Sequence, residues 1–481
     1  DRIFLIGCRD EIRSIPQCGY CGYENCGHKL KNEGRCVYPL LDMGIAIGSA
    51  LSICQMAGID TRVMYTVGKA ALSLGLVSCA NVSQYEAINE SYIEHAKDNG
   101  FLADALEITK KYEAIHPIFF NEDIHETYTQ KKIEYLEQIG PNMTFDEFYF
   151  LTLEYLTVFK DAHAFYHPDD KDIKSLPYNF SIDGDTLYLD GKKVNLIAGI
   201  TPERLFDLID HYVYYENDST KTYSRYVYGF TDLFLYRAGG DFDEQSVLVE
   251  LEDDTTARLH FVQGHHVNVY RTPDPYALEM MDDTLVITLN EMTYDDDFKA
   301  FVEKVKEEAS GVSKAIIDVR HSPGGDSLAG QSLINSLGMI PPTFGSFERY
   351  SKDLKELLPD LETPLYPIRK TRRVEPSVEV TSKANDMELK VLTSTNTFSS
   401  AMWLATWVQD GKLGEVLGET SGNSPSSYGN VVQVPLEHVG GYVSISYAYF
   451  TRPDINANGQ ELTPNLEVPS DEALEKALES F

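Results

Sequence analysis

Beyond Cys79 the chain has no cysteine in its remaining 402 residues, so any thiolate ligand or disulfide is confined to its head. No run reaches 18 apolar residues, and a membrane-spanning helix is not expected. Positive charge is scarce. With 41 Lys and Arg against 75 Asp and Glu, the net charge is −34, which argues against nucleic acid or anionic membrane as partners. The shortage is uneven: residues 1–78 carry eight basic and seven acidic side chains, the remainder 33 and 68. Cysteine content and charge change at the same place, which reads as a domain boundary. The 481 residues, 43% hydrophobic and 24% charged, leave room for several domains and a sizeable core. The opening "DRIFLIG", without an initiator Met, reads as a strand already inside a fold and raises the expectation of a longer parent chain.

The head contains "CGYCGYENCGHKLKNEGRC", which spaces Cys18, Cys21, Cys26 and Cys36 by two, four and nine residues. Soft thiolates at such spacing, with glycines that let the backbone curl around a metal, suit an iron–sulfur cluster or zinc; a disulfide framework is the competing reading. Cys8 and Cys54 fall outside the motif and read as core residues. From this motif through "CVYPLLDMGIAIGSALSICQMAGIDTRVMYTVGKAALSLGLV", the segment resembles part of the uncharacterised bacterial ferredoxin-domain proteins. That resemblance implies a four-iron–four-sulfur cluster and a cytosolic setting. A competing signal follows directly. "LVSC", ending at Cys79, matches a lipoprotein cleavage box after Lys69 and an apolar stretch, as expected for an exported chain with a lipid anchor at Cys79. Because the two settings conflict, an accidental join near residues 75–85 is expected.

Past the boundary, residues 85–160 read as mainly helical. Thr144 and Glu147 form a capping box ahead of Phe148, Leu151, Tyr155 and Phe159 on one face. Residues 177–275 are β-rich with turn signals, around one helical stretch at 202–214. From 284 strands alternate with helices, the mark of an α/β layer architecture. The expected division is a cysteine-rich head (1–79), a helical part (80–170), a β-rich module (171–278) and an α/β core (279–481).

Two stretches of the core carry chemistry. In "IIDVRHSPGGDS", Gly324 and Gly325 let backbone N–H groups approach a ligand, although Pro-Gly-Gly also serves as a plain turn. Gly325 to Leu328 also spells a "GDSL" esterase block. Such an enzyme needs a late Asp-x-x-His, but the only histidine after position 321 is His438, with Pro435 in the Asp place. The esterase reading is set aside. In "TNTFSSAMWLATW", Ser399 and Ser400 meet a strand-to-helix junction, where serine serves as a helix cap or as a nucleophile assisted by free helix N–H groups.

These two stretches, in order and followed by "GETSG", resemble the tail-specific (C-terminal processing) serine peptidase family, which includes tricorn, over residues 90–470. The resemblance implies an α/β crossover core of the ClpP/crotonase kind, a substrate-binding module at 171–278, peptide or protein substrates, and no cofactor for the peptidase. It places the nucleophile at Ser399 and the oxyanion donors at the amides of Ser400 and of Gly324 or Gly325. Many members pair the serine with a lysine about 25 residues later. Here that place holds Asn423 or Ser424, and the only lysines after Ser399 are Lys412 and Lys476. The pattern is instead similar to that of tricorn and the chlamydial protease-like activity factor. There an early histidine is the base and a late glutamate orients it, which implies His163 and Glu461. The family's acidic residue after the serines is replaced by Met402, and its late Asp by Asn465. Two further expectations stand beside the peptidase: an inactive peptide-binding envelope protein of the same fold, and an iron–sulfur electron carrier acting through the head. An extracytoplasmic setting is expected for the peptidase part, a cytoplasmic one if the head is truly attached.

Overall fold

The computed structural model describes residues 82–121, 123–266, 274–363, 366 and 370–481. The chain divides into two units, Asp1–Cys79 and Ala80–Phe481. Cys18, Cys21, Cys26, Cys36 and Cys79, with the metal and lipid readings attached to them, lie outside the described residues.

The second unit is built on a six-stranded sheet whose strands follow one another in space as in sequence: β1 (Tyr276–Met281), β2 (Thr284–Leu289), β3 (Lys314–Asp318), β4 (Glu388–Thr393), β5 (Glu415–Gly418) and β6 (Leu466–Glu467). β1 and β2 form an antiparallel hairpin, and β2 through β6 run parallel. Parallel neighbours need crossovers. Three helices serve here: α1 (Asp296–Ala309), α2 (Ser327–Ser336) and α3 (Ser400–Asp410). Leu285, Ile287, Ala315, Ile317, Leu389 and Val391 pack with Phe298, Val302, Val305, Leu333, Leu404 and Val408 of these helices in the main core. The alternate residues Val286, Ile316, Leu392 and Leu417 meet Ala473 and Ala477 of α4 (Ala473–Glu479) on the opposite face. Strands covered on both faces read as near-continuous apolar runs. The strand–helix alternation expected from position 284 onward is what the structure shows. Lys390 interrupts the apolar run. Its buried Nζ donates to Ala477 O at 3.0 Å and Ser480 Oγ at 2.6 Å near the end of α4, 3.9 Å from the Phe481 ring centroid.

The helical part comprises Val82–Ala96, Gly100–Ile115, Ile124–Glu137 and Phe145–Leu156. The last begins at the expected capping box, with Glu147 N donating to Thr144 Oγ1 and Thr144 N to Glu147 Oε2. The middle module is an antiparallel meander of Phe180–Asp183, Thr186–Leu189, Lys192–Ile197, Ser246–Leu251 and Thr256–His260. Sequence led to one helix there; the structure has three, Pro202–Tyr212, Asp218–Tyr228 and Asp232–Arg237. Asp218–Tyr228 (DSTKTYSRYVY) is poor in strong helix formers. It is held instead by its cap, Thr220 N to Asn217 Oδ1 at 2.7 Å, and by burial of Tyr223, Tyr226 and Val227. A third sheet centres on the long strand Tyr442–Thr451, which pairs with Tyr428–Pro435, Gly345–Arg349 and Tyr166–His167.

Candidate active site

The loop from β4 to α3 is laced to the turn after β3. Thr397 Oγ1 donates to Val319 O at 2.9 Å, Phe398 N to Ser322 O at 3.0 Å, and Ser400 Oγ to Gly325 O at 2.7 Å. Ser399 sits at the N-cap position of α3 with φ +52° and ψ −123°, yet its side chain makes no cap hydrogen bond. A non-glycine residue held at positive φ costs about 1–3 kcal/mol, and surrounding contacts must impose it. One such contact is Asn423, whose Oδ1 accepts from Ser399 N at 2.7 Å. Asn423 is one of the two places where a lysine base would have stood.

Gly324 (φ +88°) lies directly against the serines. A Cβ there would fall 2.6 Å from Phe398 O, 2.7 Å from Ser400 N and 2.8 Å from Ser399 Cβ. Gly324 N reaches Ser322 Oγ at 3.4 Å, whereas the Gly325 and Ser400 amides donate to no group among the described residues. Asp326 caps α2, with its Oδ1 accepting from Leu328 N at 2.9 Å, so the "GDSL" letters spell a helix start.

His163 follows the helical part, just after Lys160 turns the chain through φ +51°. It is buried, with its ring centroid 4.9 Å from that of Phe398, the residue before Ser399. Neither ring nitrogen has a hydrogen-bond partner among the described residues. Asp161 Oδ1 lies 3.6 Å from His163 Nδ1 and accepts from His163 N at 2.8 Å, while Oδ2 is 3.2 Å from His116 Nε2. Burial works to raise the Asp161 carboxyl, but its two histidine partners hold it well below the usual carboxylate range. By that sign its stabilisation is present above the unfolded carboxyl's range and is lost only as pH falls through the native value. Ser399, His163, Gly325, Phe398 and Tyr223 share the lining of one cleft of about 640 Å³ with Leu357, Leu358, Val432 and Tyr442. His167 also lines it, stacked on Tyr442 at 4.6 Å, with burial pushing its pKa down to about 4.

The structure does not bring Glu461 to this cleft. Arg452 ties Asp410, the last residue of α3, to the Glu461 carbonyl oxygen, with NH2 2.8 Å from Asp410 Oδ1 and NH1 2.9 Å from Glu461 O. Glu461 is exposed beside the C-terminal end of a helix whose start carries Ser399, about 15 Å away at 1.5 Å per residue. The carboxylates near His163 are Asp161 and Glu216. Neither stands among the residues picked out from the sequence. The i, i+2 spacing of Asp161 and His163 was a usable signal; nothing in the sequence marks Glu216. Met402 is buried within α3, and Asn465 Oδ1 accepts from Val416 N at 2.8 Å in the sheet, so neither departure from the family pattern falls in the cleft.

This part of the chain is a parallel sheet with crossover helices that presents a strained serine beside a glycine turn. Residues 283–468 match the model of Peptidase family S41, in agreement with the resemblance to tail-specific serine peptidases. Among solved structures, mature CPAF complexed with lactacystin superposes with a TM-score of 0.55 at 11% identity, over 79% of this chain and 96% of that one. At that identity the likeness concerns the fold. A Photosystem II D1 C-terminal processing protease aligns over 77% of this chain and 94% of its own, at 12% identity and a TM-score of 0.43. Residues 32–85, most of them in the head, match the model of an uncharacterized protein containing a ferredoxin domain. An uncharacterized protein of Archaeoglobus fulgidus is 37% identical over 83 residues, 16% of this chain, and the chain spans 45% of that relative's length.

Proposed function

We propose that residues 80–481 form a serine endopeptidase in which His163 is the general base for Ser399. The observation that carries this reading is the meeting, in one cleft, of a strained serine at a helix start and a buried imidazole with unpartnered nitrogens. Ser399 Oγ attacks the peptide carbonyl carbon while His163 takes its proton. The oxygen of the tetrahedral intermediate is held by the free amides of Gly325 and Ser400, aided by the positive end of the α3 dipole. His163 then protonates the departing amine, and a water molecule, deprotonated by the same ring, hydrolyses the acyl-enzyme. Asp161 takes the orienting role in place of Glu461: its carboxylate faces His163 Nδ1 and is itself fixed by His116. Substrates are peptides or proteins that enter the cleft beside Leu357, Leu358 and Val432, in an extracytoplasmic setting.

Paired variants test the choice of orienting carboxylate. Asp161→Asn is expected to lower kcat by about 10³-fold or more, as loss of the acid does in triads generally, with Glu461→Gln within about threefold of wild type. The reverse order would return Glu461 to the role. For the head, we propose an iron–sulfur cluster on Cys18, Cys21, Cys26 and Cys36, of which Cys36 alone falls inside the ferredoxin-domain match. Anaerobically purified protein is then expected to contain iron and sulfide in equal amounts; colourless, metal-free protein would remove this proposal.

A further inference from the structure

The middle module reaches the catalytic elements at two points. Its helix Asp218–Tyr228 lays Tyr223 flat on Phe398, with ring centroids 4.6 Å apart and planes within 9°. Phe398 in turn carries His163 on its ring and precedes Ser399 in the chain. Just before that helix, Glu216 Oε2 accepts from Ser424 N at 2.7 Å. Ser424 follows Asn423, the residue whose side chain holds the Ser399 amide. The turn is internally braced by Ser421 Oγ donating to Asn423 O at 2.9 Å. On its other side the Glu216 carboxyl faces the Ala162 amide and the His163 ring. One side chain of the module is therefore hydrogen-bonded to the turn that holds the nucleophile and lies within electrostatic reach of the loop that carries the base.

We propose that Glu216 is a positioning residue through which the middle module keeps His163 and Ser399 in register. The proposal rests on the Ser399–His163 reading above. Glu216 makes no hydrogen bond to Ser399; it acts through the Ser424–Asn423 turn, and its carboxyl lies within electrostatic reach of Ala162 and His163. Burial pushes the Glu216 carboxyl up to about 7, against the opposing pull of the Ser424 and Ala162 amides and the His163 ring. The groups facing it are His163 and Asp161 from the base loop, Tyr214 from its own segment and Tyr449 from the third sheet. Its charge therefore changes in the neutral range, which gives its role a signature that a purely structural contact lacks.

The test uses the full chain and a fluorogenic peptide library, with fluorophosphonate labelling of Ser399 as an independent readout. Glu216→Ala, which loses the Ser424 hydrogen bond and the carboxyl beside His163, is expected to lower kcat by about 10- to 100-fold with KM nearly unchanged. Glu216→Gln keeps the Ser424 hydrogen bond and mimics the protonated acid. It is expected to match wild type at pH 6 and to depart from its kcat/KM profile above pH 7, where only the wild-type carboxyl gains a charge beside the base. Thermal melting checks that each variant is folded; if Glu216→Ala does not fold, the pH profile of Glu216→Gln decides. A wild-type-like pH profile in Glu216→Gln, or an unchanged kcat in a folded Glu216→Ala, would overturn the proposal while Ser399 labelling still upholds the peptidase reading. Wild-type protein that neither cleaves nor labels would overturn both.

Discussion

Replacing Ser399 by alanine is expected to lower kcat by about 10⁴- to 10⁶-fold while leaving the melting temperature almost unchanged, as loss of the nucleophile does in serine hydrolases. The size of the effect follows from the absence of a substitute. Asn423, at the place of a lysine base, is already engaged with the Ser399 amide and has no proton to exchange at working pH. Ser400 is committed elsewhere, its hydroxyl donating to Gly325 O at 2.7 Å. Ser400→Ala should therefore cost far less, about tenfold, through a looser glycine turn. Stability is spared in Ser399→Ala because the hydroxyl makes no cap bond that alanine would lose. A Ser399→Ala protein that keeps more than a hundredth of wild-type activity would show that another residue performs the attack.

Gly324→Ala is expected to be nearly as damaging, for a different reason. The added methyl would sit 2.6 Å from Phe398 O and 2.7 Å from Ser400 N, both backbone atoms that cannot swing aside, at a φ of +88° that alanine disfavours. Either the glycine turn or the start of α3 must move, and each contributes one of the proposed oxyanion amides. A loss of about 10²- to 10³-fold in kcat, the scale of removing an oxyanion donor, should accompany a stability loss of about 2 kcal/mol or more. Gly311→Ala is the control, since no atom lies within 4 Å of a Cβ there. Equal activity and melting temperature in the two variants would remove Gly324 and its neighbours from the site.

How much of this was legible in the sequence depended on whether the cause was local. The capping box at Thr144 and Glu147, the alternation of strands and helices after 284, and the serine-bearing helix start are written in residues close together in the chain. The site was legible only where its parts stand in compact motifs. Ser399, the glycine pair and His163 came from such motifs, and the structure gathers Ser399, Gly325 and His163 around one cleft. Glu461 was placed by its position after the serine, and Arg452 instead fastens that segment to the far end of α3. Asp161 stands two residues before His163, a local spacing open to reading, whereas Glu216, 53 positions further on, nears His163 only through tertiary packing, and no period or spacing announces that meeting. The serine pair itself mixes the two cases. Ser399 does occupy the N-cap position that serine favours, but its backbone is turned to positive φ and its hydroxyl is left free of the cap.

The most direct test of the account is to map a fluorophosphonate adduct on the full-length protein by peptide mass spectrometry. A single adduct on Ser399, formed by wild type and lost or greatly slowed in His163→Ala, is the predicted result. An adduct on Ser327, on Ser400 or on no serine at all, or labelling of Ser399 that is as fast without His163, would contradict it.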